Sequence, residues 1–184
     1  MNCNPDIHHR RSVRLKGYDY SQAGLYFVTI CTQNRLCLFG KIKESNLQLN
    51  DAGIMIEHQW QELIYRFDNI KLDEFVVMPN HFHGIVECVG APLVGAQNAG
   101  QPGTEEGQPQ GIAPTVGNVV GAFKSMTTNE YIRGVKNVGW PRFNKKLWQR
   151  NYYEHIIRDE KSYYQISEYI KTNPLKWRDD KYYV

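Results

Sequence analysis

Phe75-Val76-Val77-Met78-Pro79-Asn80-His81-Phe82-His83-Gly84-Ile85-Val86-Glu87 reads as two strands joined by a tight turn. Apolar and β-branched residues flank Pro79-Asn80, a pair that supplies a fixed φ and turn chemistry. On the second strand His81 and His83 are two apart, so both imidazoles project from one face and Phe82 from the other. Two such histidines are either half of a divalent-metal site or a hydrogen-bonded pair at a strand end, and spacing alone does not separate the two.

Upstream of the hairpin, Ile56, Trp60, Leu63, Ile64 and Phe67 recur at three- and four-residue intervals. This predicts a helix over about 52–67, capped by Asn50 or Asp51, with Trp60 as packing. Leu47-Gln48-Leu49 alternates as a short strand behind the turn Glu44-Ser45-Asn46, and a further strand is expected over 36–42. Leu25-Tyr26-Phe27-Val28-Thr29-Ile30-Cys31-Thr32 has the β-branched and aromatic content of a buried first strand. Before it, Arg10, Arg11, Arg14 and Lys16 form a basic arm suited to following a phosphate backbone.

Downstream, residues 90–117 change to Gly, Pro, Gln and Ala without hydrophobic period, which predicts a flexible insertion. Val119, Val120, Phe123, Met126 and Thr127 restore helical spacing over about 116–133, with Lys124 off the apolar stripe and open to a phosphate. From Leu147 to Arg158 aromatic and basic residues interleave, a mixture suited to single-stranded nucleic acid or to an amphipathic strand. The last helix carries Tyr163, Ile166 and Ile170 as its stripe, starts at Asp159 or Ser162, and ends at Asn173 because Pro174 follows. Tyr169 and Asn173 are four apart, so they share a helical face.

The 184 residues, with 41% hydrophobic and 22% charged content, suit one globular domain spanning 1–184. A net charge of +3 is too small to identify a polyanionic partner by itself. Four cysteines without a Cys-x-x-Cys pair exclude a zinc-finger framework, and no apolar run is long enough to span a bilayer. The expected location is the cytoplasm, without membrane association.

Three segments together resemble the HUH single-tyrosine transposases, and among them the transposase-like proteins associated with repetitive extragenic palindromes. They are Arg14-Leu15-Lys16-Gly17-Tyr18-Asp19-Tyr20 leading into Tyr26-Phe27-Val28-Thr29, the histidine hairpin, and Trp148-Gln149-Arg150 through Tyr169-Ile170-Lys171-Thr172-Asn173-Pro174. The resemblance implies an α+β, ferredoxin-like antiparallel sheet with helices packed on one face and a C-terminal helix carrying the tyrosine. It implies His81, His83 and Asn173 as ligands of Mg²⁺ or Mn²⁺ and Tyr169 as the nucleophile. Asn173 stands where better-known mobile-element relatives place a glutamine. The implied partner is single-stranded or hairpin DNA, and the implied assembly a monomer or a homodimer. The expected reaction is metal-dependent strand cleavage and transfer near hairpins through a 5′-phosphotyrosine. A water-attacking phosphodiesterase and a non-catalytic hairpin-binding module are the alternatives. Lys124, Arg150, Arg158 and Lys176 join the N-terminal arm as expected DNA contacts near the site elements.

Overall fold

The computed structural model describes residues 23–89 and 115–184; the arm with Arg10, Arg11, Arg14 and Lys16, and the insertion up to residue 114, lie outside the described residues. In chain order the elements are β1 (Gly24–Cys31), β2 (Gly40–Lys43), β3 (Asn46–Leu49), α1 (Asp51–Gln61), β4 (Ile70–Met78), β5 (His81–Cys88), α2 (Val116–Asn137), β6 (Tyr153–Ile157) and α3 (Glu160–Thr172), with short 3₁₀ turns between some of them. The main sheet has the order β4-β5-β1-β6 with every pair antiparallel, while β2 and β3 form a separate hairpin. Leaving that hairpin aside, the order β1-α1-β4-β5-α2-β6 is the split βαβ arrangement expected of a ferredoxin-like domain.

Alternation along β1 and β5 divides the interior between the two faces of the sheet. Tyr26, Val28, Phe82 and Val86 point to the larger core with Trp60 of α1 and Phe123 of α2. The rings of Trp60, Phe82 and Phe123 meet at centroid separations of 4.6 to 5.2 Å. Gly84 is required behind them, because an added Cβ would stand 2.8 Å from both the Phe82 and the Trp60 rings. Phe27, Ile85, Ile157 and Ile170 form a smaller cluster on the opposite face, joined by Tyr163 and Ile166. The expected one-sided packing therefore holds for α1 and α2 and not for α3, whose stripe covers the other face, the face that carries His81 and His83.

Local expectations fared according to how local their causes are. Asn50 caps α1 by accepting from the Gly53 amide, and Asp159 caps α3 by accepting from the Ser162 amide. The Thr115–Asn118 capping box starts α2 inside the stretch assigned to the insertion, which corrects its downstream boundary. No strand spans 36–42: Asn34 and Arg35 adopt positive φ, and Leu38 and Phe39 are buried as loop residues before β2 begins at Gly40. Ile64 is exposed, because the α1 helix passes into a tighter turn at Glu62–Tyr65 and its side chain rotates out of the stripe.

Candidate metal and tyrosine site

His81 and His83 lie at the start of β5, fully buried, with ring centroids 4.5 Å apart. The Asn80 side-chain amide donates to the carbonyls of Tyr182 (2.8 Å) and Arg35 (3.3 Å), which turns its Oδ1 toward His81 Nδ1 at 2.8 Å. An acceptor there requires the proton on Nδ1, so the His81 lone pair is on Nε2, a buried atom with no hydrogen-bond partner. His83 Nδ1 lies 2.8 Å from Thr29 Oγ1, a hydroxyl that can accept the Nδ1 proton when Nε2 serves as a ligand. Burial pushes His81 down to about 4 and His83 well below the ordinary histidine range, so both rings are neutral at physiological pH. Neutral imidazole is the form that ligates a metal.

Tyr169, on α3, reaches over this pair. Its hydroxyl is 3.2 Å from His83 Nε2 and 3.3 Å from Asp180 Oδ2, and its ring meets His83 and Phe27 edge-on. Burial, followed by the Asp180 charge and hydrogen bond, raises the phenol above its ordinary pKa. One helical turn on, Asn173 is buried; its amide donates to Asp180 Oδ2 at 2.6 Å, while its Oδ1 has no partner. Asp180 Oδ1 in turn accepts from the Tyr182 amide at 2.6 Å.

Asp180 is the residue the sequence reading missed. It follows the Pro174 break and a 3₁₀ turn at Trp177–Asp179, so no helical or strand spacing connects it to Tyr169. Together His81, His83 and Asp180 each offer a ligand atom, all within 4.8 Å of one another. Two orphaned buried acceptors, His81 Nε2 and Asn173 Oδ1, beside a carboxyl group are the donor set a divalent cation would satisfy.

Of the expected cationic residues that are described, Lys124 is engaged elsewhere and Arg158 lies at the far end of the sheet. Lys124 donates to the carbonyls of Gln149, Arg150 and Asn151 at 3.0 to 3.4 Å, and burial lowers its ammonium to about 8. It holds the turn before β6 on the larger-core side of the sheet. Arg150 and Lys176 are exposed. Arg158 follows Ile157, which pairs with Leu25, whereas His81 pairs with Cys31 at the other end of β1, about 20 Å away by strand rise. The Trp148-Gln149 pair has a structural role: Trp148 Nε1 donates to Thr127 Oγ1, and Gln149 Nε2 to the Thr32 carbonyl, anchoring the end of β1.

The sequence is 45% identical to an uncharacterized protein of Haemophilus influenzae over 98% of this chain and 97% of that one. The chain belongs to that protein's family. No protein-family model matches the sequence. Among solved structures, a REP-associated tyrosine transposase bound to a REP hairpin superimposes with a TM-score of 0.50 at 20% identity, covering 92% of this chain and 73% of that one. The chain therefore has a transposase-like α+β fold built on an antiparallel sheet.

Proposed function

We propose that the protein is a metal-dependent single-stranded DNA endonuclease and strand transferase that cleaves beside DNA hairpins through a 5′-phosphotyrosine on Tyr169. The observation that carries this reading is the convergence of the Tyr169 hydroxyl, the buried His81 and His83 imidazoles and the Asp180 carboxyl group in one site. The hairpin bound by the transposase of like fold supports hairpin DNA as the partner. His81 Nε2, His83 Nε2 and Asn173 Oδ1 would hold Mg²⁺ or Mn²⁺, with Asp180 supplying compensating negative charge. Imidazole donors favour manganese over magnesium, which prefers oxygen. When bound, the cation withdraws charge from the scissile phosphate.

A phenol of ordinary pKa about 10 is a weak nucleophile at neutral pH and must lose its proton as it attacks. Asp180 Oδ2 is positioned to take that proton. Tyr169 Oη then forms the bond to phosphorus, the bond from phosphorus to the 3′-oxygen breaks, and that oxygen leaves as a 3′-hydroxyl after gaining a proton. The phosphotyrosine retains the energy of the broken bond, so a 3′-hydroxyl can reverse the step and rejoin strands without a nucleotide cofactor. Arg10, Arg11, Arg14, Lys16, Arg150, Arg158 and Lys176 are the proposed backbone contacts, with Lys124 acting indirectly through the turn that carries Arg150, and monomer or homodimer remains the proposed assembly.

The test is incubation of labelled single-stranded hairpin DNA with the protein and Mn²⁺ or Mg²⁺, followed by a denaturing gel and peptide mapping. The expected result is a protein-linked strand mapped to Tyr169 and lost in Tyr169→Phe. Cleavage without an adduct, or full cleavage by Tyr169→Phe, would replace this mechanism with attack by water. An adduct on Tyr152, Tyr153, Tyr163 or Tyr164 would reassign the nucleophile.

A further inference from the structure

Tyr152, just before β6, and Tyr153, its first residue, have opposite fates. Tyr152 joins the larger core beneath the Lys124 ammonium, 5.4 Å from its ring centroid. Tyr153 emerges on the other face and is 44% exposed. Its place in the register is specific: Val76 pairs with His83, His83 with Thr29, and Thr29 with Tyr153, so one cross-strand row carries a site histidine and then this ring at the edge of the sheet.

Phe27, two residues before Thr29 on the same face of β1, packs its ring against the His83 and Tyr153 members of this row. Phe27 stacks on His83 at 5.3 Å and presents an edge to both Tyr153 (6.3 Å) and Tyr169 (6.2 Å). Tyr153 and Tyr169 thus flank one buried phenylalanine, both partly open to solvent. The Lys181 ammonium lies against Tyr153 and Tyr182, 5.3 Å from the first ring and 4.8 Å from the second. A half-exposed ring at a sheet edge beside a cation provides a flat stacking surface and a counter-charge on the face of the sheet that carries His83 and Tyr169.

We propose that Tyr153 and Lys181 form a nucleotide subsite, in which Tyr153 stacks the base of a nucleotide flanking the phosphate that Tyr169 attacks and Lys181 neutralises a neighbouring phosphate. This rests on the nuclease reading above and adds the element that seats the single strand. A base has the π-face and a phosphodiester the charge that this pair complements, and stacking of this kind tolerates any base. Tyr153 is a positioning residue: it touches the strand and leaves the proton and phosphorus to Tyr169 and Asp180.

The experiment uses a hairpin oligonucleotide with a single-stranded thymidine flank, in which one 2-aminopurine is walked position by position, and full-length protein in the presence of a chelator so that binding is read without chemistry. Wild-type protein should quench the fluorescence at one position. Tyr153→Phe, which keeps the ring, should retain the quenching, whereas Tyr153→Ala should lose it and bind the strand roughly 5- to 150-fold more weakly. Lys181→Ala should lower the magnitude of the log–log salt slope by about 0.7. Wild-type binding without quenching at any position, or equal quenching and affinity in Tyr153→Ala, overturns the subsite. In that case an intact Tyr169 adduct with Mn²⁺ leaves the nuclease reading standing, whereas failure of wild-type protein to bind any strand both with chelator and with Mn²⁺ overturns both.

Discussion

Tyr169 Oη and His83 Nε2 stand 3.2 Å apart although 86 positions separate them in the chain. The contact exists because α3 leaves the α1–α2 side and packs Ile170 and Ile166 against Phe27 and Ile85 on the histidine face. Packing and chemistry are thereby coupled: the apolar stripe of α3 sets the height of the hydroxyl above the two imidazoles.

The buried imidazoles make stability pH-dependent. An unfolded histidine titrates near 6.5, while burial holds His81 at about 4, so between these values the unfolded chain binds a proton that the folded chain does not. Stability contributed by His81 is full above pH 6.5 and is lost as pH falls toward 4. Moving metal-free protein from pH 7 to pH 5 should cost about 2 kcal/mol from this residue alone, and His83, lowered in the same direction, adds to it. Urea unfolding at the two pH values with chelator present measures the loss. Equal midpoints would mean the rings are hydrated.

Gly84→Ala should destabilise the protein by about 1–3 kcal/mol, because the new methyl group meets two rings that are themselves fully buried. The same strand carries His83 one residue earlier, so the strain should also weaken manganese binding. Urea denaturation and a manganese titration on the same preparation read the two effects; an unchanged midpoint would show that Trp60 and Phe82 have room to move.

Legibility in the sequence followed the range of each cause. The histidine pair and the Tyr169–Asn173 pair were readable because strand and helix periods fix them within a few residues. The βαββαβ order was readable from alternation and apolar stripes. Which face α3 covers was not, since its stripe fits either side of the sheet until Phe27 and Ile85 are seen to be its partners. Asp180 was invisible for the same reason: its approach to Tyr169 depends on the chain turning back after Pro174. Lys124 looked free because the three carbonyls it binds belong to a turn 25 to 27 residues later.

Lys124→Met should expose how far that turn matters for DNA. The substitution removes the ammonium from the Gln149, Arg150 and Asn151 carbonyls while keeping the stem, so the turn carrying the exposed Arg150 loosens. The expected result is weaker binding of a single-stranded hairpin probe at low salt. Lys124→Met and Arg150→Ala should be non-additive in a double-mutant cycle. Strict additivity would mean that Lys124 does not act through the position of Arg150.

Asp180→Asn separates the electrostatic role of the tail carboxyl group from its shape. The carboxyl group raises the Tyr169 pKa in two ways, by its charge and by accepting the phenolic hydrogen bond, and it also accepts the Asn173 amide. An asparagine of the same size keeps a carbonyl oxygen for one of these donors and removes the charge. The phenol should therefore titrate at lower pH than in the wild type, a shift read by ultraviolet absorbance as the difference from the matching Tyr169→Phe protein. Loss of the negative charge beside His81 and His83 should at the same time weaken manganese binding by about 10- to 100-fold. Adduct formation should fall even at saturating manganese, because the proton acceptor for Tyr169 is gone although the phenol itself is more acidic. A variant with wild-type manganese affinity and an unshifted phenol would remove Asp180 from the site and leave Asn173 Oδ1 as the remaining oxygen ligand.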